Sequence, residues 1–218
     1  VRLRDRLTEH PSAVLLGAQL AAVVAYPFFG DSPTARTLLG VVSICIVLLA
    51  VWSVRRTPAL NWVAALLGVP AMILTVAEAI RPGSNAVVLS SALVHASLYF
   101  YVAWAMIRYV FKDTVVTRDE LYSTGATFTV LAWAFSYVYV AVQLLQPGAF
   151  AAGDTADFRF YELLFLSFTT LTSVGLSDIL PISEHARSVV IIEEVAGVMY
   201  IALVISRLVG MAVASRES

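Results

Sequence analysis

Charge is what this chain has least of. Only 13% of its 218 residues are Asp, Glu, Lys or Arg, against 60% apolar, and the formal net charge is −1. With so few charges and a mean hydropathy of +0.84, the chain cannot clothe a soluble core in polar surface. A soluble globular domain is excluded and an integral membrane protein is expected. Without a basic excess there is no electrostatic footprint for nucleic acid. Cysteine is almost absent too: Cys45 stands alone inside an apolar run, so no intrachain disulfide forms and no cysteine metal site is implied. Nothing in the pattern calls for a cofactor or a small-molecule substrate.

What is present is a series of six apolar runs, Ser12–Phe29, Ala35–Val54, Pro58–Ile80, Ala86–Phe111, Gly125–Leu145 and Arg187–Ala214, each near the ~20 residues a membrane-spanning helix needs. Ser32-Pro33 and Thr57-Pro58 read as helix starts, while Gly30, Pro82-Gly83 and Pro147-Gly148 read as stops. Pro70 is expected to kink the third run. Thr117 to Glu120 has capping-box spacing, which starts either a short amphipathic segment or an extended fifth helix. No small-residue cleavage site follows the first run, so it is expected to be a retained helix. With the N-terminus inside, ten basic residues fall on the inner side (Arg2, Arg4, Arg6, Arg55, Arg56, Arg108, Lys112, Arg118, Arg207, Arg216) and four outside (Arg36, Arg81, Arg159, Arg187). That bias predicts both termini on the cytoplasmic side. The fourth run holds only Arg108, so it lacks the recurring arginines of a voltage sensor.

Between the fifth and sixth runs lies a segment too short to cross. After Asp157 as the expected cap come about 14 mostly apolar and aromatic residues to Leu171. They fit a re-entrant helix whose last carbonyls carry partial negative charge and point toward the bilayer centre. The polar, glycine-bearing stretch Thr172-Ser173-Val174-Gly175-Leu176-Ser177-Asp178 follows. Irregular backbone at membrane depth is tolerated only where protein buries it or where it lines a water-filled cavity. Thr172 and Ser173 offer hydroxyls, and Val174, Gly175 and Leu176 offer carbonyls.

This segment resembles the pore loop of the potassium-channel superfamily, in its bacterial two-transmembrane ion-channel form. The filter of that family reads TVGYG; here the aligned residues are Ser173, Val174, Gly175, Leu176 and Ser177. The resemblance also rests on Ser167 to Thr172, Asp178-Ile179 with Pro181, Ala186-Arg187, Gly197, and Ser206 to Gly210, and it covers about the last hundred residues. It implies an all-α membrane protein with six spans, a re-entrant pore helix and an extended filter. It implies four copies around one pore, potassium bound at Ser173, Val174, Gly175 and Leu176, and Gly197 as the inner-helix hinge. The domains expected are a four-helix bundle over 1–111, a linker over 112–123 and a pore domain over 124–218. The location expected is a bacterial inner membrane.

Three departures from the family pattern carry expectations. Leu176 cannot make the tyrosine's hydroxyl brace and would be clasped by Phe165, Leu166 and Phe168. Ser177 replaces a glycine and would carry the strain of left-handed backbone, about 1–2 kcal/mol, distorting the outermost ion site. Ser173 replaces a threonine. The chain is therefore expected to be a passive potassium-conducting channel and no enzyme. A weakly selective sodium and potassium channel is the alternative on account of Ser177. More remote alternatives are a secondary transporter, which would need internal repeats with a second broken helix, and a non-conducting membrane protein.

Glu193 and Glu194 interrupt the last apolar run, where an unpaired charge costs about 2.5 kcal/mol or more. Consecutive helical residues point about 100° apart, so only one faces any given partner. One of them is expected to bond Ser167, Thr169 or Thr170 behind the filter, or to face the cavity and concentrate cations; the alternative is a pair of carboxyls satisfied between helices. Asp178, repeated four times, would ring the outer mouth or brace the filter. His95 is expected to be a packing residue with satisfied ring nitrogens, and His185 a solvated residue at the outer end of the last helix.

Overall fold

The structure, a computed structural model, describes residues 10–28, 33–54, 61–81, 83–111 and 118–217. Among them run seven helices: α1 (Pro11–Ala25, extended by a 3-10 turn at Tyr26–Phe28), α2 (Pro33–Val54), α3 (Asn61–Ile80), α4 (Asn85–Val110), α5 (Arg118–Leu145), α6 (Phe160–Leu171) and α7 (Glu184–Glu217). Two short strands, β1 (Phe150–Ala151) and β2 (Leu180–Pro181), flank α6. Five helical stretches are long and apolar enough to cross a membrane: Pro11–Phe28, Asn61–Ile80, Asn85–Val110, Asp119–Leu145 and Glu184–Arg207. Helix α2 covers 22 residues, of which Val41–Trp52 is counted as a shorter apolar helix. Gly30, Ser32, Thr57, Pro58 and Pro82 lie outside the described residues. Helix α3 continues through Pro70. The fifth helix begins at Arg118, so the second half of the expected 112–123 linker is helical, with Asp119 and Glu120 favourably placed in its first turn.

Helix α5 is the hub, packed against α1, α4, α6 and α7, while α2 and α3 complete the bundle through α1 and α4. Within a bilayer, helix association relies on close van der Waals fit and small residues rather than on water exclusion. The buried alanines Ala126, Ala132 and Ala134 of α5 and Ala103 and Ala105 of α4 supply that closeness. Buried Trp133 of α5 meets Tyr99 of α4 and Phe160 and Tyr161 of α6 edge-on. Tyr26 at the end of α1 stacks on Tyr161 with centroids 3.8 Å apart. The first turn of α6 is thus gripped by aromatic rings from α5 and from the end of α1.

The segment between α5 and α7 returns to where it started. Phe150 pairs with Pro181 and Ala151 with Leu180, antiparallel, and the Ala149 carbonyl accepts from Ile182 N at 2.8 Å. Beneath this clasp, Tyr139, Phe150, Phe158, Leu163, Leu166, Ile179 and Ala186 form an apolar cluster. Helix α6 dips away from the clasp and the extended residues after it climb back. At 12 residues, α6 is about 18 Å long, well short of the hydrocarbon thickness.

Candidate functional site

The start of α6 is set by Gln143 of α5. Its Oε1 accepts from Phe158 N at 2.9 Å, and its Nε2 donates to the Phe158 carbonyl at 3.0 Å and to Asp157 Oδ1 at 2.8 Å. Asp157 therefore does not cap the helix as expected. The cap position is Arg159, whose N–H is accepted by Glu162 Oε2 at 2.6 Å, and Asp157 is held by a side-chain amide instead.

The end of α6 makes the turn on which Ser173 to Ser177 sit. The Thr169 carbonyl accepts from both Val174 N and Gly175 N at 3.0 Å, and the Thr170 carbonyl from Ser173 N at 2.8 Å. Thr172 N and Oγ1 both donate to the Phe168 carbonyl. The last-turn carbonyls of Phe168, Thr169 and Thr170, expected to face a cation, are thus engaged by the N–H and hydroxyl groups of residues 172–175. This arrangement fixes the direction in which Val174, Gly175 and Leu176 leave the helix.

Left-handed backbone occurs at Ser173 (φ 57°) and Gly175 (φ 66°). Ser177 is not among the positive-φ residues, so the strain assigned to it from sequence belongs to Ser173. Glycine takes this conformation freely, whereas a β-carbon there costs about 1–2 kcal/mol. The Ser177 hydroxyl instead accepts from Ile179 N at 3.1 Å, bracing the outer turn. Leu176 is 74% exposed and Val174 58%, so Phe165, Leu166 and Phe168 of the same chain do not clasp Leu176 as expected. Thr172, Ser173 and Gly175 are exposed as well. Asp178 is exposed and lines the rim of a cavity of about 540 Å³ between α1 and α6, with Tyr26, Phe165, Phe168 and Ile179.

Beside α6, Glu193 of α7 is completely buried. Its Oε1 accepts from the Ser167 hydroxyl of α6 and its Oε2 from the Tyr139 hydroxyl of α5. Ser167 Oγ also lies 2.8 Å from the Ala132 carbonyl, which already accepts from Ser136 Oγ at 2.6 Å. One carboxyl thus joins α5, α6 and α7, and both its oxygens are satisfied, as burial requires. Of the two glutamates, Glu194 is the exposed one. Gly197, one turn beyond Glu193, abuts the Leu171 carbonyl at the end of α6, and α7 runs unbroken through it.

Tyr139 and Gln143 were not singled out in the sequence, yet Ser136, Tyr139 and Gln143 recur at the three- and four-residue spacing of one helical face. That polar stripe in an apolar run was the available signal. His95 has partners on both ring nitrogens, Thr75 Oγ1 at 3.2 Å and the Ser91 carbonyl at 2.8 Å, and stacks on Tyr137. His185 is exposed, with Gln146 Nε2 3.0 Å from its Nδ1. No group of three or more His, Cys, Asp or Glu side chains able to hold a metal occurs among the described residues.

Residues 125–214 match the family model described as ion channel. The match spans most of α5, the segment from α5 to α7 and α7 to near its end, and it supports an ion channel embedded in a membrane by several apolar helices. Residues 1–124 lie outside it. No curated protein and no solved structure matches the chain significantly.

Proposed function

We propose that this chain assembles as a homotetramer around one pore and conducts potassium passively, with backbone carbonyls from Ser173 to Leu176 replacing the hydration shell of the ion and successive ions displacing one another. The observation that carries this reading is the anchored turn at the end of α6. Thr169 and Thr170 carbonyls hold Ser173, Val174 and Gly175 by their N–H groups, while left-handed φ at Ser173 and Gly175 swings the backbone outward. A strand whose N–H groups point back into its supporting helix is free to present carbonyls on its other side. The exposure of Val174 and Leu176 in a single chain is what a filter strand completed by neighbouring copies requires.

In this reading α1 to α5 and α7 are six spans, α6 re-enters from the outer face, both termini are cytoplasmic and the host membrane is a bacterial inner membrane. Asp178 ring copies attract cations at the outer mouth. A weakly selective sodium and potassium pore is the second reading. It is favoured by Ser177, whose backbone is not left-handed and whose hydroxyl is engaged by Ile179 N, so that the outermost carbonyl ring differs from a glycine-based one.

The test is cation flux through purified protein in liposomes under matched potassium and sodium gradients, followed by single-channel recording. Potassium flux with little sodium flux is expected. Equal flux of both transfers the assignment to the non-selective pore. Saturating turnover without unitary current, or no flux at all from correctly inserted protein, overturns the channel.

A further inference from the structure

The first turn of α5 places two buried acidic side chains next to each other, and they serve different helices. Asp119 turns to the start of α1, where its Oδ1 accepts from Ser12 N at 3.3 Å and its Oδ2 from Ser12 Oγ at 3.2 Å. Since Pro11 has no N–H, Ser12 N is the first free donor of α1, and a carboxylate from another helix caps it. Glu120 turns to α7, where its Oε2 lies 3.6 Å from Arg207 Nη2. Both Asp119 and Glu120 are buried, so each requires its partner. Arg207 also lies over the Phe111 ring at 5.3 Å, just beyond the end of α4.

In this part of α7, Val204 is partly buried against the core of the bundle. Tyr200 donates to the Thr124 carbonyl at 2.6 Å, but beyond it Ile201, Leu203 and Ile205 are exposed. The inner end of α7 is thus fastened to α5 through Arg207, about 15 Å along the helix from Gly197.

We propose that the first turn of α5 is a coupling joint, in which the Glu120–Arg207 pair holds the inner end of α7 against its own α5 and so favours an open pore, while Asp119 ties the position of that turn to α1. This rests on the channel reading above, in which α5 is the outer and α7 the inner helix. Drawing α7 toward α5 draws its end away from the axis. Releasing it lets four inner ends converge. The joint also gives the bundle ahead of the pore a route to the gate, by displacement of α1 rather than by movement of charge through the field.

The experiment is single-channel recording of the full chain in planar bilayers, comparing Glu120→Gln, Arg207→Gln, their double variant, and the charge exchange Glu120→Arg with Arg207→Glu. Each single variant is expected to lower open probability at least about fivefold, the double Gln variant no further, and the exchange to recover part of the loss. Unitary conductance and the potassium-to-sodium permeability ratio stay unchanged, a readout that general destabilisation of the pore would move. Independent, additive losses without recovery overturn the latch, as does an unchanged or raised open probability. If the Gln variants fail to assemble, Arg207→Lys keeps the charge and loses the planar guanidinium; an intermediate open probability supports the latch and a wild-type value overturns it. Asp119→Ala is expected to lower open probability in the same way, and no change there overturns the tie to α1. A wild-type chain that never conducts defeats the channel reading itself, whereas a conducting wild type with indifferent variants defeats only this inference.

Discussion

A β-carbon added to Gly197 would stand 2.0 Å from the carbonyl oxygen of Leu171 and 2.8 Å from its carbonyl carbon. Helix α7 therefore touches the end of α6 backbone to backbone, at the point where the chain turns into residues 172–178. The resemblance casts this glycine as a hinge. The contact gives it a second task, because only a residue without a side chain permits the approach. One turn away, Glu193 fastens the same helix to Ser167, so α7 meets α6 by close approach and by hydrogen bond together.

Gly197→Ala must push α7 and α6 apart, since the atoms in the way are backbone. Overpacking of this kind costs about 1–3 kcal/mol. Thermal unfolding in detergent should shift down, and the potassium-to-sodium permeability ratio should fall as the filter loses its backing. A glycine acting as a hinge alone would alter open probability and leave both quantities unchanged.

Glu193→Ala removes the acceptor of the buried Tyr139 hydroxyl, at a cost of about 1–3 kcal/mol, whereas Ser167 Oγ keeps the Ala132 carbonyl. Glu193→Gln keeps one acceptor and should lose about half as much. Because the three groups form one network, Tyr139→Phe combined with Glu193→Ala should cost less than the sum of the two. Chemical denaturation of the four proteins checks this, and strict additivity would show that the contact between Tyr139 and Glu193 carries no coupling energy.

How much of this was legible beforehand differs between particular residues. The apolar runs announced the helices because membrane helices are written as nearly uninterrupted hydrophobicity. The short run after Asp157 announced α6 by its length. Glu193 stood out because a charge in an apolar run demands a partner, and Ser167 was among those expected. Its other partner, Tyr139, was hidden, because a tyrosine in a membrane helix reads equally well as packing. Left-handed backbone was expected at Ser177 and is found at Ser173 instead. Residue type shows which position tolerates left-handed backbone, but the hydrogen bonds from Thr169 and Thr170 decide which position receives it. The trans contact of Asp119 with Ser12, 107 positions apart, had no local signal at all.

Ser173 carries its left-handed φ without glycine's freedom. Ser173→Gly should relieve about 1–2 kcal/mol in each subunit and raise thermal stability. Ser173→Thr should lower it, because a β-branched residue is least tolerant of positive φ. Melting temperatures of the two variants, measured in one detergent, should fall on opposite sides of the wild type; a higher value for threonine would place the strain elsewhere.

Gly175→Ala meets no neighbouring atom within its own chain, so its penalty is conformational, through the φ of 66°. A cost of about 1 kcal/mol per subunit, repeated around the pore, should abolish or severely reduce current while leaving expression intact. Liposome flux measures it directly, and normal potassium flux would remove Gly175 from the filter.

At Ser177 two effects can be separated. Its hydroxyl braces the outer turn by accepting from Ile179 N, and its β-carbon keeps the backbone from visiting left-handed angles cheaply. Ser177→Ala removes the first and retains the second; it should lower stability by about 0.5–1.5 kcal/mol without improving selectivity. Ser177→Gly removes both, and the freed backbone can turn a carbonyl toward the axis to form an outer ring. Its potassium-to-sodium permeability ratio should exceed that of the wild type, measured as the shift in reversal potential under bi-ionic conditions. If alanine and glycine shift that potential equally, the hydroxyl brace alone shapes the outer mouth, and the glycine of the family pattern is not what this pore lacks.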